Sequence, residues 1–139
     1  MNKNFFELLN IPVSFELSKE FEHNYFELQK KHHPDKVQNN VIAKITEAKI
    51  SSKLNEAYNV LKNPLSRAEY ILDLLGIKLV PSSELLMEVM EMHEEGIIYN
   101  EGDILSELQQ AFGSCDYEKA SQLTMKWRYL IRGSKNAGS

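Results

Sequence analysis

Apolar residues recur along this chain at intervals of three and four, the period of an α-helix with one buried face. Asn4 followed by Glu7 reads as a capping box that opens a short helix ending before Pro12. Ser18 is placed to cap a second helix, with Glu20 and Glu22 at its positive end. Phe21, Tyr25, Leu28 and His32 mark its buried face, and Pro34 ends it, since the residue before a proline is pushed out of the α region. After a polar stretch, residues 34–40, a long helix is predicted from Val41 to Lys62 with Leu54, Ala57, Tyr58 and Leu61 as its apolar stripe. Asn63-Pro64 is a break and restart, because proline suits the first position of a helix. Ala68, Ile71, Leu72 and Leu75 form the inner face of that next helix, which Gly76 is placed to end.

Pro81-Ser82 marks a boundary, and three more helices follow: residues 82–95, 103–112 capped by Asp103, and 116–132 capped by Asp116. Gly96, the Asn100 to Gly102 turn and Gly113 separate them. No segment alternates as a strand should. The expected fold is all-α: an N-terminal unit over residues 1–77, a small C-terminal three-helix bundle over 78–132, and a disordered tail over 133–139.

Two of the C-terminal helices are too apolar for one buried face. In the first, Leu85, Val89 and Met92 cluster within about 60° and make a core stripe. Leu86, Met87 and Met90 fall on the other side, beside Glu91 and Glu94. In the last helix Ala120, Leu123, Trp127 and Ile131 share a face, while Met125 and Tyr129 lie nearly opposite. Either these second faces pack on neighbouring helices, or they form a Met-rich patch rimmed by glutamate that docks another protein.

Composition narrows the choices. A chain of 139 residues, 42% hydrophobic and 26% charged, buries one good core or two small ones. Charged residues interrupt every apolar run, so no membrane span is expected. The first arginine is Arg67 and Glu7 breaks the first apolar segment, against a presequence or a secretory signal. A cytoplasmic bacterial protein is expected, with a processed mitochondrial matrix protein as the alternative. Cys115 stands alone, which excludes a disulfide and leaves too few thiols for an iron–sulfur cluster or a structural zinc. The net charge of -4 argues against nucleic acid as a partner. Its distribution is uneven: residues 79–139 carry 5 basic against 10 acidic side chains, which suggests two regions facing different partners.

The sharpest motif is Leu28-Gln-Lys-Lys-His-His-Pro-Asp-Lys36. His33-Pro34-Asp35 alone would pass for an ordinary helix end. Its setting is a basic amphipathic helix before it and, after a polar stretch, a longer helix containing Asn55-Glu-Ala-Tyr58. That arrangement resembles a J-domain, an antiparallel helix pair with short flanking helices and a His-Pro-Asp loop. Proline restricts the backbone between His33 and Asp35, and Lys30, Lys31 and Lys36 surround the pair with charge that can steer docking onto an acidic surface. The resemblance implies a DnaK-type chaperone as partner, bound through these six residues, with its ATP hydrolysis promoted. The chain has no Gly-rich phosphate loop and is not expected to be an enzyme. Adjacent His32 and His33 point about 100° apart on a helix and make poor joint metal ligands.

Phe5-Phe6-Glu-Leu-Leu-Asn-Ile-Pro12, Asn63-Pro-Leu-Ser-Arg-Ala-Glu-Tyr70 and Leu86-Met-Glu, taken with the tripeptide, resemble the HscB family of J-type co-chaperones in iron–sulfur cluster biogenesis. The likeness runs from residue 3 to residue 94 and resumes near Lys126-Trp-Arg-Tyr-Leu130. It implies that the second region binds the cluster scaffold protein through Leu86, Met87, Met90, Glu91, Glu94 and Tyr129, and that the partner is an HscA-class chaperone. It implies no cofactor, no bound cluster and no membrane or nucleic-acid partner. One turn beyond Glu94, where the family would place an acid, stands Ile98, and the stretch from Glu95 to Asp116 is short. Two alternatives stay open. One is a J-protein for other clients with a generic substrate or dimerisation module; the other is a small enzyme or metal protein using His33, Asp35 and another histidine.

Overall fold

The computed structural model of the chain describes residues 3–33 and 40–137, the last four by backbone alone. It holds α1 (Phe5–Leu8), α2 (Phe21–Lys31), α3 (Val41–Lys62), α4 (Pro64–Leu74), α5 (Ser83–Glu94), α6 (Glu101–Gly113) and α7 (Tyr117–Ala137). The fold is all-α, as the sequence predicts, with no strand among the described residues. Its contacts divide it into two compact units, Met1–Asn63 and Pro64–Ser139.

Local hydrogen bonds explain most helix starts. The Asn4 side chain accepts from the Glu7 amide at 2.8 Å and donates to the Glu7 carboxylate at 2.7 Å. Asn40 caps α3 by accepting from Ala43 N at 3.0 Å, and Ser82 caps α5 by accepting from Leu85 N at 3.2 Å. Two predicted caps move. At α6 the cap is Asn100, in extended conformation, whose Oδ1 accepts from Gly102 N at 2.8 Å and Asp103 N at 3.3 Å, so the helix begins before Asp103. Ser18 does not cap α2: its hydroxyl accepts from Glu20 N at 3.2 Å in the turn ahead, and no side chain caps that helix. The end of α2 comes at Lys31, with His32 as C-cap; Pro34, expected to stop it, lies outside the described residues.

In the first unit α1 and α2 both pack on α3. Phe6, Leu9, Ile11, Phe15 and Phe21 are buried, as are Leu54, Ala57 and Leu61 of the predicted α3 stripe. Burial of each larger side chain contributes about 1.5–3 kcal/mol. Asn24 of α2 donates to the Leu9 carbonyl at 2.9 Å, which ties the segment after α1 to α2.

In the second unit α7 packs against α4, α5 and α6 in turn. A helix with three neighbours buries more than one stripe. That corrects the reading of Met125: it is 5% exposed and belongs to the core with Ala120, Trp127 and Leu130 rather than to a spare face. The packing of α4 along α7 also gives this unit four helices, so the compact units divide at Asn63 and Pro64, one helix earlier than the predicted boundary. Leu75 is exposed, and the inner face of α4 is Ala68, Ile71 and Leu72. Gly76 and Gly96 end their helices at φ 75° and 72°, a region open to glycine. Gly133 does not take a positive φ, and α7 continues through it to Ala137 instead of stopping near Arg132.

Candidate functional site: a helix end and an apolar groove

The contact between α2 and α3 is a series of side-chain pairs whose numbers rise along α2 as they fall along α3. Tyr58 donates to the Glu22 carboxylate at 3.1 Å, and its ring stacks on Phe21 and Tyr25, with centroids 5.2 and 4.1 Å away. Desolvation first, then the bond to Glu22, raises the pKa of the Tyr58 hydroxyl above its ordinary value. Tyr25 next donates to the Asn55 side chain. One turn further, Gln29 donates to the Ser51 carbonyl at 3.1 Å and accepts from the Ser51 hydroxyl at 2.6 Å. Last, His32 Nδ1 meets Glu47 Oε2 at 2.8 Å. Each step advances about one helical turn, as antiparallel helices in fixed register require. Tyr25, Leu28 and His32, expected on the buried face with Phe21, are half-buried.

This register delivers one candidate site. Lys30 and Lys31 lie exposed in the last turn of α2, where cations suit the negative end of the helix, and Lys30 Nζ is 3.6 Å from Glu27. His33 follows the C-cap and is exposed. Pro34, Asp35 and Lys36 lie outside the described residues. Among the described residues no three metal-ligating side chains gather into a group.

The other candidate site is a groove between α5 and α7 of about 450 Å³, walled by Leu86, Val89, Met90, His93 and Glu94 on one side and Tyr129 and Arg132 on the other. The predicted core stripe of α5 holds, with Val89 buried and Leu85 and Met92 half-buried. The predicted second face is open: Leu86 is 42% exposed, Met87 62% and Met90 54%. The groove thus joins Leu86, Met90, Glu94 and Tyr129. Met87 and Glu91 are exposed on the same helix, outside its lining. The Tyr129 hydroxyl accepts from Ser82 N at 3.0 Å, which fixes its ring against the start of α5.

Ion pairs brace the walls. Lys126 reaches Glu88 of α5 at 2.9 Å, and Arg128 reaches Glu69 of α4 at 2.6 Å, a bond that raises the guanidinium pKa. A smaller hollow of about 300 Å³ shares Val89 and His93 with the groove and leads to Ile97, Ile98 and Tyr99. Burial, then the Glu101 charge, lifts the Tyr99 phenol above its usual value.

Four lining residues, Gly133 among them, were missed from the sequence. His93 lies seven positions beyond Leu86 and three beyond Met90, a same-face spacing that could have placed it here. Arg132 stands three beyond Tyr129 and could have been found the same way. Val89 could not, because it serves the core and the groove floor together.

A family model described as the DnaJ domain matches residues 4–70. The co-chaperone protein HscB homolog of Shewanella frigidimarina is 34% identical over 96% of this chain and 82% of that protein. The homolog of Shewanella loihica is 35% identical over 88% of this chain and 78% of its own length. The chain belongs to the HscB co-chaperone family. Other HscB relatives are matched over less of their length: the match spans 64% of the Proteus mirabilis protein, at 33% identity over 83% of this chain, and 58% of a Vibrio cholerae homolog. Solved HscB structures agree in fold. The crystal structure of human co-chaperone protein HscB superposes with a TM-score of 0.82, at 25% identity over 97% of this chain and 80% of that one. Chaperone HscB from Vibrio cholerae gives 0.77, at 27% identity over 94% of this chain and 92% of its own.

Proposed function

We propose that this HscB-family chain is a two-ended adaptor in iron–sulfur cluster assembly. At one end His33, Pro34 and Asp35, with Lys30, Lys31 and Lys36, engage a DnaK-type chaperone of the HscA class and promote its ATP hydrolysis. At the other end Leu86, Met87, Met90, Glu91, Glu94 and Tyr129 hold the cluster scaffold protein. Holding both at once raises the effective concentration of scaffold at the chaperone while hydrolysis proceeds, so delivery needs no covalent chemistry. The protein acts in the bacterial cytoplasm or its organellar equivalent, as a non-enzyme without a cofactor of its own.

The observation that carries this reading is the groove. An open apolar wall of Leu86 and Met90, edged by Glu94 and faced by Tyr129, is what a protein-docking site requires. Met90 adapts to the shape of its partner, and the acidic edge favours a basic one.

The test is steady-state ATPase of the cognate HscA-type chaperone with this protein, with and without scaffold, for wild type and His33→Gln. The expected result is stimulation that grows when scaffold is added and falls to the basal rate in His33→Gln. Stimulation indifferent to scaffold would keep the chaperone partner and reject the scaffold; stimulation that survives His33→Gln would remove that residue from the mechanism.

A further inference from the structure

The groove between α5 and α7 does not end at His93. The smaller hollow beyond it has walls of its own: Met92 on α5, Leu130 on α7, and Ile97, Ile98 and Tyr99 in the connection to α6. Val89, His93 and Gly133 line both spaces. We propose that groove and hollow are two pockets of one docking channel, and that the scaffold protein seats an uncharged, apolar side chain in the hollow. The inference rests on the adaptor reading above, in which the groove holds the scaffold.

Helical spacing explains why the two spaces meet. On α5 Val89 and His93 stand four apart and form a ridge, with Leu86, Met90 and Glu94 on the groove side and Met92 on the hollow side. On α7 Tyr129 lines the groove and Leu130 the hollow. Gly133 follows them by four and three positions, one turn on, and borders both. Its φ is not positive, and a methyl group added there would meet nothing within 4 Å. Neither backbone nor packing calls for glycine here, although glycine weakens the interior of a helix. A longer side chain at this position would stand in the passage between the pockets, and its absence keeps them joined.

The far wall is fixed in place. Gly96 N donates to the His93 carbonyl at 3.1 Å and Ile97 N to the Met92 carbonyl at 2.9 Å, the paired bonds that close a helix on a left-handed glycine. Asn100 holds the other end by capping α6. A turn of this kind brings an apolar residue at the place of Ile97 towards one at the place of Met92. It gives no reason for Ile98, which is 90% exposed, more than any other large apolar residue described. The chemistry of the two pockets also differs. Glu94 and Arg132 edge the groove, whereas no carboxylate, lysine or arginine lines the hollow among the described residues. A charged side chain entering it would lose water without gaining a partner, so an apolar one is the fitting occupant. A volume of about 300 Å³ is at the small end for a ligand pocket and suits a single anchoring side chain.

Calorimetric titration of the scaffold protein into the full chain tests this, with the melting temperature of each variant measured alongside. Ile98→Asp and Ile98→Lys are both expected to weaken binding by roughly tenfold, the scale of one buried aliphatic side chain, while Ile98→Leu stays within about twofold. Gly133→Leu, which fills the passage, should also weaken binding by roughly tenfold without lowering the melting temperature, and Gly133→Ala should stay within about twofold. Should Gly133→Leu melt early, the Ile98 variants decide alone. Tighter binding by Ile98→Asp would mean that a basic group arrives there, and would overturn the apolar pocket. Unchanged affinity in Ile98→Asp and Ile98→Lys, beside loss in Leu86→Ala with Met90→Ala, would confine the scaffold to the groove and reject the hollow. A change from dimer to monomer in sedimentation of Ile98→Asp, at unchanged scaffold affinity, would assign the hollow to a second copy of this chain instead. If the wild-type chain itself does not bind scaffold, or the double variant binds as tightly as wild type, it is the groove reading that falls, and the inference with it.

Discussion

Where α2 meets α3 the paired side chains are tyrosine, asparagine, glutamine, serine, histidine and glutamate. Where α5 meets α7 the lining is mostly apolar, with Val89, Met92 and Leu130 inside and Leu86 and Met90 left open to water. Polar contacts there are confined, among the described residues, to the Lys126–Glu88 pair and the Ser82–Tyr129 bond. Hydrogen bonds are directional, and each polar pair is satisfied in only one register, so the first contact fixes how the two helices slide and turn. Apolar contacts are not directional and tolerate adjustment at modest cost. In the proposed adaptor, a motif that presents His33 to the chaperone would gain from the first kind of contact, and a groove that fits a partner surface would gain from the second.

This contrast can be broken. Met125 and Met90 lie on the two helices that wall the groove, yet one is core and the other surface. Met125→Ala should cost about 3 kcal/mol, read as a lower denaturation midpoint at unchanged slope. Met90→Ala should stay within about 0.5 kcal/mol of wild type. Equal costs would mean that the groove face is structural. Next in size, Leu86→Ala combined with Met90→Ala should weaken scaffold binding by roughly 30-fold, as loss of an interface anchor does, while stimulation without scaffold is unchanged. Calorimetric titration checks it, and unaltered affinity would place the scaffold elsewhere. Smallest, Gly96→Ala should cost about 1 kcal/mol through its positive φ alone, since nothing within 4 Å would meet the added methyl. A larger loss would show that the turn after α5 supports the groove wall.

The sequence made the helices legible where capping and periodicity agreed. Val41 and Lys62 bound α3 as predicted, because Asn40 caps one end and Pro64 follows the other. The exposed face of α5 was legible too, since Leu86, Met87 and Met90 fall off the stripe that Val89 anchors. Met125 was not, because a helical wheel shows directions and not the number of neighbours waiting there. The paired contacts of α2 and α3 were equally hidden. Gln29, Ser51 and Glu47 have the polarity of solvent-facing positions, and only the three-dimensional register shows that they meet. Gly133 misled for a different reason: a glycine costs a helix about 1 kcal/mol, which lowers the odds of continuation without forbidding it.

The register of α2 on α3 also bears on how such a chain can vary. Each pair depends on the count of residues back along both helices, so one residue inserted between Glu22 and His32, or between Glu47 and Tyr58, would turn every later side chain by about 100° away from its partner. Descendants of this sequence should therefore reject insertions and deletions within the paired spans, whatever residues the pairs exchange.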